Sequence, residues 1–399
     1  MSWATIRADE YCESVRDGTH DTPKQTETGY KLVTGKHIKN GQIDPSEAYC
    51  ISEKDYKKIN ERSLVEQWDV LMSMIGTVGE VAVVKDHPNY AIKNVALFKC
   101  AGSELKGKWL AYYLQSSDAQ GHMSGNQKGS SQQFLSLKQL RSLPVPVADE
   151  AYMQKVVDVL SAYDDLIENN QKQIKLLEEA AQRLYKEWFV DLRFPGHETT
   201  PIVDGVPEGW KKYKFSEITS IMSGGTPKTE VKEYYEGDIP FYTPKDSDGS
   251  FFTFDTITHI SEDGLAHCNS QYFPEGTVII TARGTVGKTT ILAVPMAMNQ
   301  SCYALKCDEL NSPYYLFFSL NKEVDALKTM ANGGVFNTII VKTFDSINLT
   351  VPTQEVLSVF DAVVSSIMEQ IKTKMRQKTH LAEARDRLLP KLMSGEIEV

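Results

Sequence analysis

The 399-residue sequence predicts an α+β chain: two tandem copies of one mixed domain, each followed by a long helix, with the two helices forming an antiparallel coiled coil. Two observations predict it. Gly29, Gly41, Gly76 and Gly79 recur as Gly237, Gly249, Gly284 and Gly287, every pair 208 residues apart, and Gly76-Thr77-Val78-Gly79 is repeated letter for letter as Gly284-Thr285-Val286-Gly287. Similar turns explain each glycine alone but not the shared offset. After each copy closes, at Leu143-Pro144-Val145-Pro146 and at Leu349-Thr350-Val351-Pro352, a long helical pattern begins.

The chain therefore divides into a first domain (residues 1–150), a long helix (151–194), a linker (195–208), a second domain (209–352) and a C-terminal helix (353–399). Each domain mixes short β-like runs, such as Tyr30-Lys31-Leu32-Val33 and Ile239-Pro240-Phe241-Tyr242, with helical ones, such as Trp109-Leu110-Ala111-Tyr112 and Tyr315-Leu316-Phe317-Phe318.

In the first helix the apolar positions Val156, Leu160, Tyr163, Ile167, Ile174, Leu177, Ala181, Leu184 and Trp188 fall on alternating steps of four and three, with Asn170 as the one polar member of the seam. That heptad period predicts a coiled coil, and a seam Asn fixes register against a partner. The helix would span roughly 50 Å at 1.5 Å per residue. In the second helix Val356, Phe360, Val363 and Ile367 begin a seam that Leu381, Ala384 and Leu388 resume; Ile371 and Met375 offer a shifted path between them, and Pro390 should stop the helix. The competing reading is two independent amphipathic helices, each covering its own domain.

Composition narrows function by exclusion. No run approaches 18 apolar residues, so no membrane span is expected. The first ten residues lack an apolar signal core, and the six scattered cysteines read as reduced thiols, which together point to a cytoplasmic protein. The net charge of −10 argues against nucleic acid at first sight, yet residues 1–150 hold 18 Lys and Arg against 19 Asp and Glu. A near-neutral domain can still carry a basic face. The polar loops place Lys24, Lys36, Lys39, Asn40, Asn126 and Lys128 in the first copy, and Lys228, Lys245 and Asn332 in the second, as candidate contacts to phosphates and base edges. Any solvated loop offers the same residue types.

Motifs for chemistry fail one by one. The segment Ala282-Arg283-Gly284-Thr285-Val286-Gly287-Lys288-Thr289 imitates a nucleotide-binding phosphate loop but has Ala where the first Gly belongs. A β-like run follows it, where a helix should begin. The eight histidines show no metal-binding spacing, and no serine-nucleophile elbow or dinucleotide fingerprint occurs. The sequence reads as a non-catalytic recognition or scaffold protein.

At Leu166-Ile167-Glu168-Asn169-Asn170-Gln171-Lys172-Gln173-Ile174, running on to Tyr185-Lys186-Glu187-Trp188-Phe189, the sequence resembles the specificity (S) subunits of type I restriction–modification systems. So do Leu388-Leu389-Pro390-Lys391-Leu392-Met393-Ser394-Gly395-Glu396-Ile397, the Gly-Thr-Val-Gly turns and the Leu140-x-x-Leu143-Pro144-Val145-Pro146 closure. The resemblance spans the chain. It implies two target recognition domains, each reading one half of a bipartite double-stranded DNA site, and a helical spacer on which two methylation (M) subunits dock, with restriction (R) subunits joining in the nuclease form. It also implies that S-adenosylmethionine, ATP and Mg²⁺ belong to those partners. The alternative is a non-catalytic assembly scaffold whose domains bind proteins.

Overall fold

The computed structural model describes residues 3–76, 78–124, 134–307, 310, 312–330 and 338–399. They form two compact units: residues 1–168 with 378–399, and residues 169–377.

In the first unit an antiparallel four-stranded sheet has the spatial order Ser14–Asp17, Val95–Lys99, Val70–Ser73, Val81–Val83. A second sheet places Tyr30–Val33 between Cys50–Ile51 and Tyr90–Ile92, antiparallel to the former and parallel to the latter. Ala4–Arg7 pairs with the closing strand Pro144–Val147. The strand runs are short and rich in Val, Leu and Ile, and the two central strands, buried on both faces, are almost wholly apolar.

The second unit repeats this plan. Ser220–Ser223, Cys302–Lys306, Val278–Thr281 and Thr289–Leu292 follow the same order, with Phe252–Thr253 added in parallel at the edge. Ile239–Tyr242 lies between His259–Ile260 and Ala297–Met298, and Lys211–Lys214 pairs with Asn348–Val351. Register repeats too: Phe98 faces Val70 in the first unit, and Leu305 faces Val278 in the second.

The repeated glycines now have physical causes. A Cβ on Gly29 would lie 2.2 Å from the Ile51 carbonyl oxygen, and one on Gly237 would lie 2.5 Å from that of Ile260, so at both sites the backbone of the neighbouring strand leaves room only for hydrogen. Gly76 and Gly284 turn the chain at φ of +80° and +77°.

Each domain closes on an aromatic clamp. The buried Trp109, on the helix Glu104–Gln115, donates its indole N–H to the Pro146 carbonyl at 2.8 Å. Tyr315, on the helix Pro313–Met330, donates its hydroxyl to the Thr350 carbonyl in the same place of the second unit. Burying large apolar side chains of this kind stabilises by roughly 1.5–3 kcal/mol each.

The first long helix runs Glu150–Tyr185 and ends in a wider π turn, Lys186–Val190. Of its expected seam, Leu160, Asn170, Ile174 and Trp188 are buried, and Tyr163, Ile167, Leu177 and Leu184 half-buried. The second long helix runs Gln354–Ser394. Two expectations fail in it. Val363 is 44% exposed, and the buried stripe is instead Leu357, Phe360, Val364, Met368 and Ile371. Because 3.6 residues make a turn, a stripe spaced by fours and threes drifts, and here it passes one residue beyond Val363. Pro390 does not stop the helix. It sits inside, exposed, one turn before the end, and termination falls to Gly395 at φ +70°. A Pro costs the helix one hydrogen bond; the buried Leu389, Leu392 and Met393 around it hold the last turn onto the first unit's core. Leu381 and Leu388 are half-buried.

Segments of the two long helices meet inside each unit. In the first unit the Tyr152 hydroxyl donates to the carbonyls of Leu392 and Ile397 at 2.9 and 3.1 Å, and Arg385 reaches Asp164 at 2.7 Å, so those segments run antiparallel. In the second unit the rings of Trp188 and Phe189 lie 5.9 and 4.8 Å from that of Phe360. Among the described residues no helix is long and apolar enough to cross a membrane.

Candidate nucleic-acid interface

Lys36 and Lys245 occupy the same structural place in the two units. Each sits in a single 3-10 turn, Gly35–His37 and Pro244–Asp246, directly after the middle strand of the three-stranded sheet. A threonine opens each turn, and the residue three positions on caps it. The Thr34 N–H donates to His37 Nδ1 at 2.9 Å, and the Thr243 N–H donates to Asp246 Oδ2 at 2.8 Å. The lysine is exposed in both. This is a reciprocal cap in miniature, and it fixes the backbone that carries the charge.

In the first unit the turn leads into a small hairpin, Ile38–Lys39 against Gln42–Ile43. Its two-residue link is Asn40-Gly41, both at positive φ (52° and 76°), as a type I′ turn demands. The Asn40 N–H donates to Glu80 Oε2 at 3.2 Å. Lys36, Lys39 and Asn40 are thus neighbours on one exposed edge beside the strand Val81–Val83.

Lys24 and Lys228 belong to different loops, leaving the ends of the strands Ser14–Asp17 and Ser220–Ser223, and both are exposed. The two loops share Thr-Pro-Lys and are anchored differently. In the first unit Lys93 reaches the Thr22 hydroxyl, and the buried Asp17 accepts from His20 at 2.9 Å and from Arg62. In the second, the Tyr235 hydroxyl donates to the Pro227 carbonyl at 2.9 Å. Asn126, Lys128 and Asn332 lie outside the described residues.

Residues 2–179 and again 207–378 match the family profile described as the type I restriction modification DNA specificity domain. The chain belongs to this family. Its similarity to the specificity subunit of the type I restriction enzyme HindI from Haemophilus influenzae is 26% identity over 318 residues, covering 64% of this chain and 69% of that one. With the MjaIX specificity subunit from Methanocaldococcus jannaschii it is 25% over 361 residues, covering 88% and 82%. The fold is similar to that of the S subunit of a type I restriction-modification system from M. genitalium, with a TM-score of 0.59 over 98% of this chain and 96% of that one, at 15% identity.

For a DNA specificity chain, repeated turns that present lysine are the expected furniture. Two further exposed cations that were not among the candidates, Arg283 and Lys288, flank the Gly-Thr-Val-Gly turn of the second unit. The signal for them was the failed phosphate loop, which marked a glycine turn flanked by positive charge.

Proposed function

We propose that the chain reads a bipartite double-stranded DNA target, each unit recognising one half-site, and that the two long helices act as an antiparallel coiled-coil spacer setting the distance between them. The observation that carries this is the duplication itself: the same strand order, the same register and the same lysine-bearing turn occur twice, and the family profile matches each copy separately. Two half-sites read from one DNA face lie about 34 Å apart, one helical turn. A helix of 36 residues is roughly 54 Å long, which leaves room for overlap with the domains at both ends.

In this reading the chain supplies recognition only. Two methylation subunits dock on the helical framework and bring S-adenosylmethionine, and restriction subunits with ATP and Mg²⁺ join in the nuclease form. Because the chain is acidic overall, the partners would supply part of the attraction for DNA.

Footprinting the chain assembled with its methylation subunits tests the proposal. Two short protected segments flanking an unprotected gap are expected. Sequence-blind protection, or none, would favour a scaffold that binds proteins.

A further inference from the structure

The failed nucleotide loop at residues 282–289 is a built feature of the second unit. It links the antiparallel strands Val278–Thr281 and Thr289–Leu292. Its base is fixed: the Lys288 N–H donates to Thr281 Oγ1 at 3.0 Å, the Gly287 N–H donates to the Thr281 carbonyl at 2.8 Å, and the Thr281 hydroxyl donates across to the Thr285 carbonyl. Its tip is latched to the capped turn described above. The Thr285 hydroxyl donates to the Pro244 carbonyl at 3.2 Å, and a Cβ on Gly284 would stand 3.5 Å from the Pro244 ring.

That latch brings the tip, flanked in sequence by Arg283 and Lys288, against the turn that carries Lys245, the residue after Pro244. All three are exposed. The nearest acid in sequence, Asp246, is occupied elsewhere: its carboxylate accepts the Thr243 N–H, the Thr243 hydroxyl and, at 2.7 Å, the Ile257 N–H. A strand follows the turn, so no helix N-terminus is present to hold a free nucleotide's phosphates. The first unit is different at the same place. Ile75 and Glu80 flank its turn, and Glu80 holds the Asn40 backbone.

We propose that the turn at residues 282–289, together with Lys245, is a contact to the phosphate backbone of duplex DNA; the first repeat keeps only the counterpart of Lys245, Lys36, and lacks the cations of Arg283 and Lys288, so that the two half-sites are held with unequal electrostatic strength. This rests on the DNA reading above. Rigid presentation matters because each cation that neutralises a phosphate releases condensed counterions, and a tip fixed by hydrogen bonds loses little conformational freedom on binding.

The test is DNA affinity as a function of salt, measured on the full chain assembled with its methylation subunits. For R283A/K288A the slope of log K against log[salt] should become shallower by about 2, about 1 per cation, with equal weakening on target and unrelated duplexes. E80K in the first repeat should steepen it by about 1. Arg283 and Lys288 are exposed, whereas Glu80 is half-buried and E80K also gives up the Asn40 contact, so the double variant carries the main test; if it loses its thermal transition, R283A and K288A singly carry the test at a slope change of about 1 each. An unchanged slope overturns the inference. A changed base preference in one half-site also overturns it, because that would make Arg283 a reader of base edges. Absence of DNA binding by the unaltered complex would instead refute the reading on which the inference rests.

Discussion

The place where a domain helix meets the two long helices is polar in the first unit and apolar in the second. In the first, the Tyr112 hydroxyl donates to Asp164 Oδ2 at 2.6 Å and Arg385 donates to Asp164 Oδ1 at 2.7 Å; burial pushes the Tyr112 phenol well above its ordinary value. The equivalent positions in the second unit lie 206 residues on in the domain helix and 204 on or back in the long helices. They are Phe318, Met368 and Ala181, all buried in one apolar cluster. Duplication has thus preserved the path of the backbone while the chemistry of the junction diverged. The difference teaches which features the fold requires: close backbone approaches and the aromatic clamp are shared, whereas the side-chain partners at this junction are not. A partly buried polar trio of this kind brings little or no net gain over hydrophobic residues of similar volume.

Shared features should fail equally. Gly29→Ala and Gly237→Ala each drive a methyl group into a neighbouring strand's carbonyl, so each should cost about 3 kcal/mol or more in urea unfolding, with the loss confined to the transition of its own unit. A tolerant Gly237→Ala beside a damaging Gly29→Ala would show that the two copies are less alike in packing than in trace.

Divergent features should fail unequally, by less. Arg385→Ala strands the Asp164 carboxylate. Both side chains retain some exposure, 21% and 30%, so the expected loss is about 2 kcal/mol and not the full cost of a buried unpaired charge. Making the first junction resemble the second, with Y112F, D164M and R385A together, should restore stability to near the unaltered level. A triple variant weaker than Arg385→Ala alone would mean that the polar trio is required for more than local pairing, and the two junctions would not be interchangeable solutions.

How far the sequence carried is visible in the same elements. The heptad steps marked Ile174, Ala181 and Trp188 because burial on one helix face imposes a period that a single sequence displays. The second helix hid its stripe. Its apolar residues Val359 and Val363, both exposed, lie beside the buried Phe360 and Val364, and only packing chooses between neighbours of equal hydrophobicity. Asp164 and Arg385 stand 221 residues apart, and no local pattern joins them. The lysine turns were legible as polar loops, but their equivalence was not, since Gly35-Lys36-His37 and Pro244-Lys245-Asp246 share only the lysine and the threonine before it.

Those two turns yield the smallest predicted effect and the sharpest contrast. Thr34 donates its N–H to His37 Nδ1, so that nitrogen must carry a lone pair and the ring proton sits on Nε2, buried with no partner. Burial first, and then the charge of Lys36, hold the imidazole below its ordinary value, while Asp44, the Thr34 backbone and Glu47 pull the other way without reversing it. The folded turn therefore binds a proton less readily than the unfolded chain. Its contribution to stability is complete above the ordinary histidine value of about 6.5 and is lost as pH falls through the lower, folded value, where a proton on Nδ1 would face the Thr34 N–H donor to donor. Asp246 caps the other turn with a carboxylate oxygen. Hydrogen exchange, corrected for its intrinsic pH dependence, should show the Thr34 amide losing protection as pH falls below about 6.5 while the Thr243 amide holds, and His37→Asp should abolish the difference. Equal loss at both amides would mean that the caps do not govern the turns, and that the lysines are held in place by the strands before them.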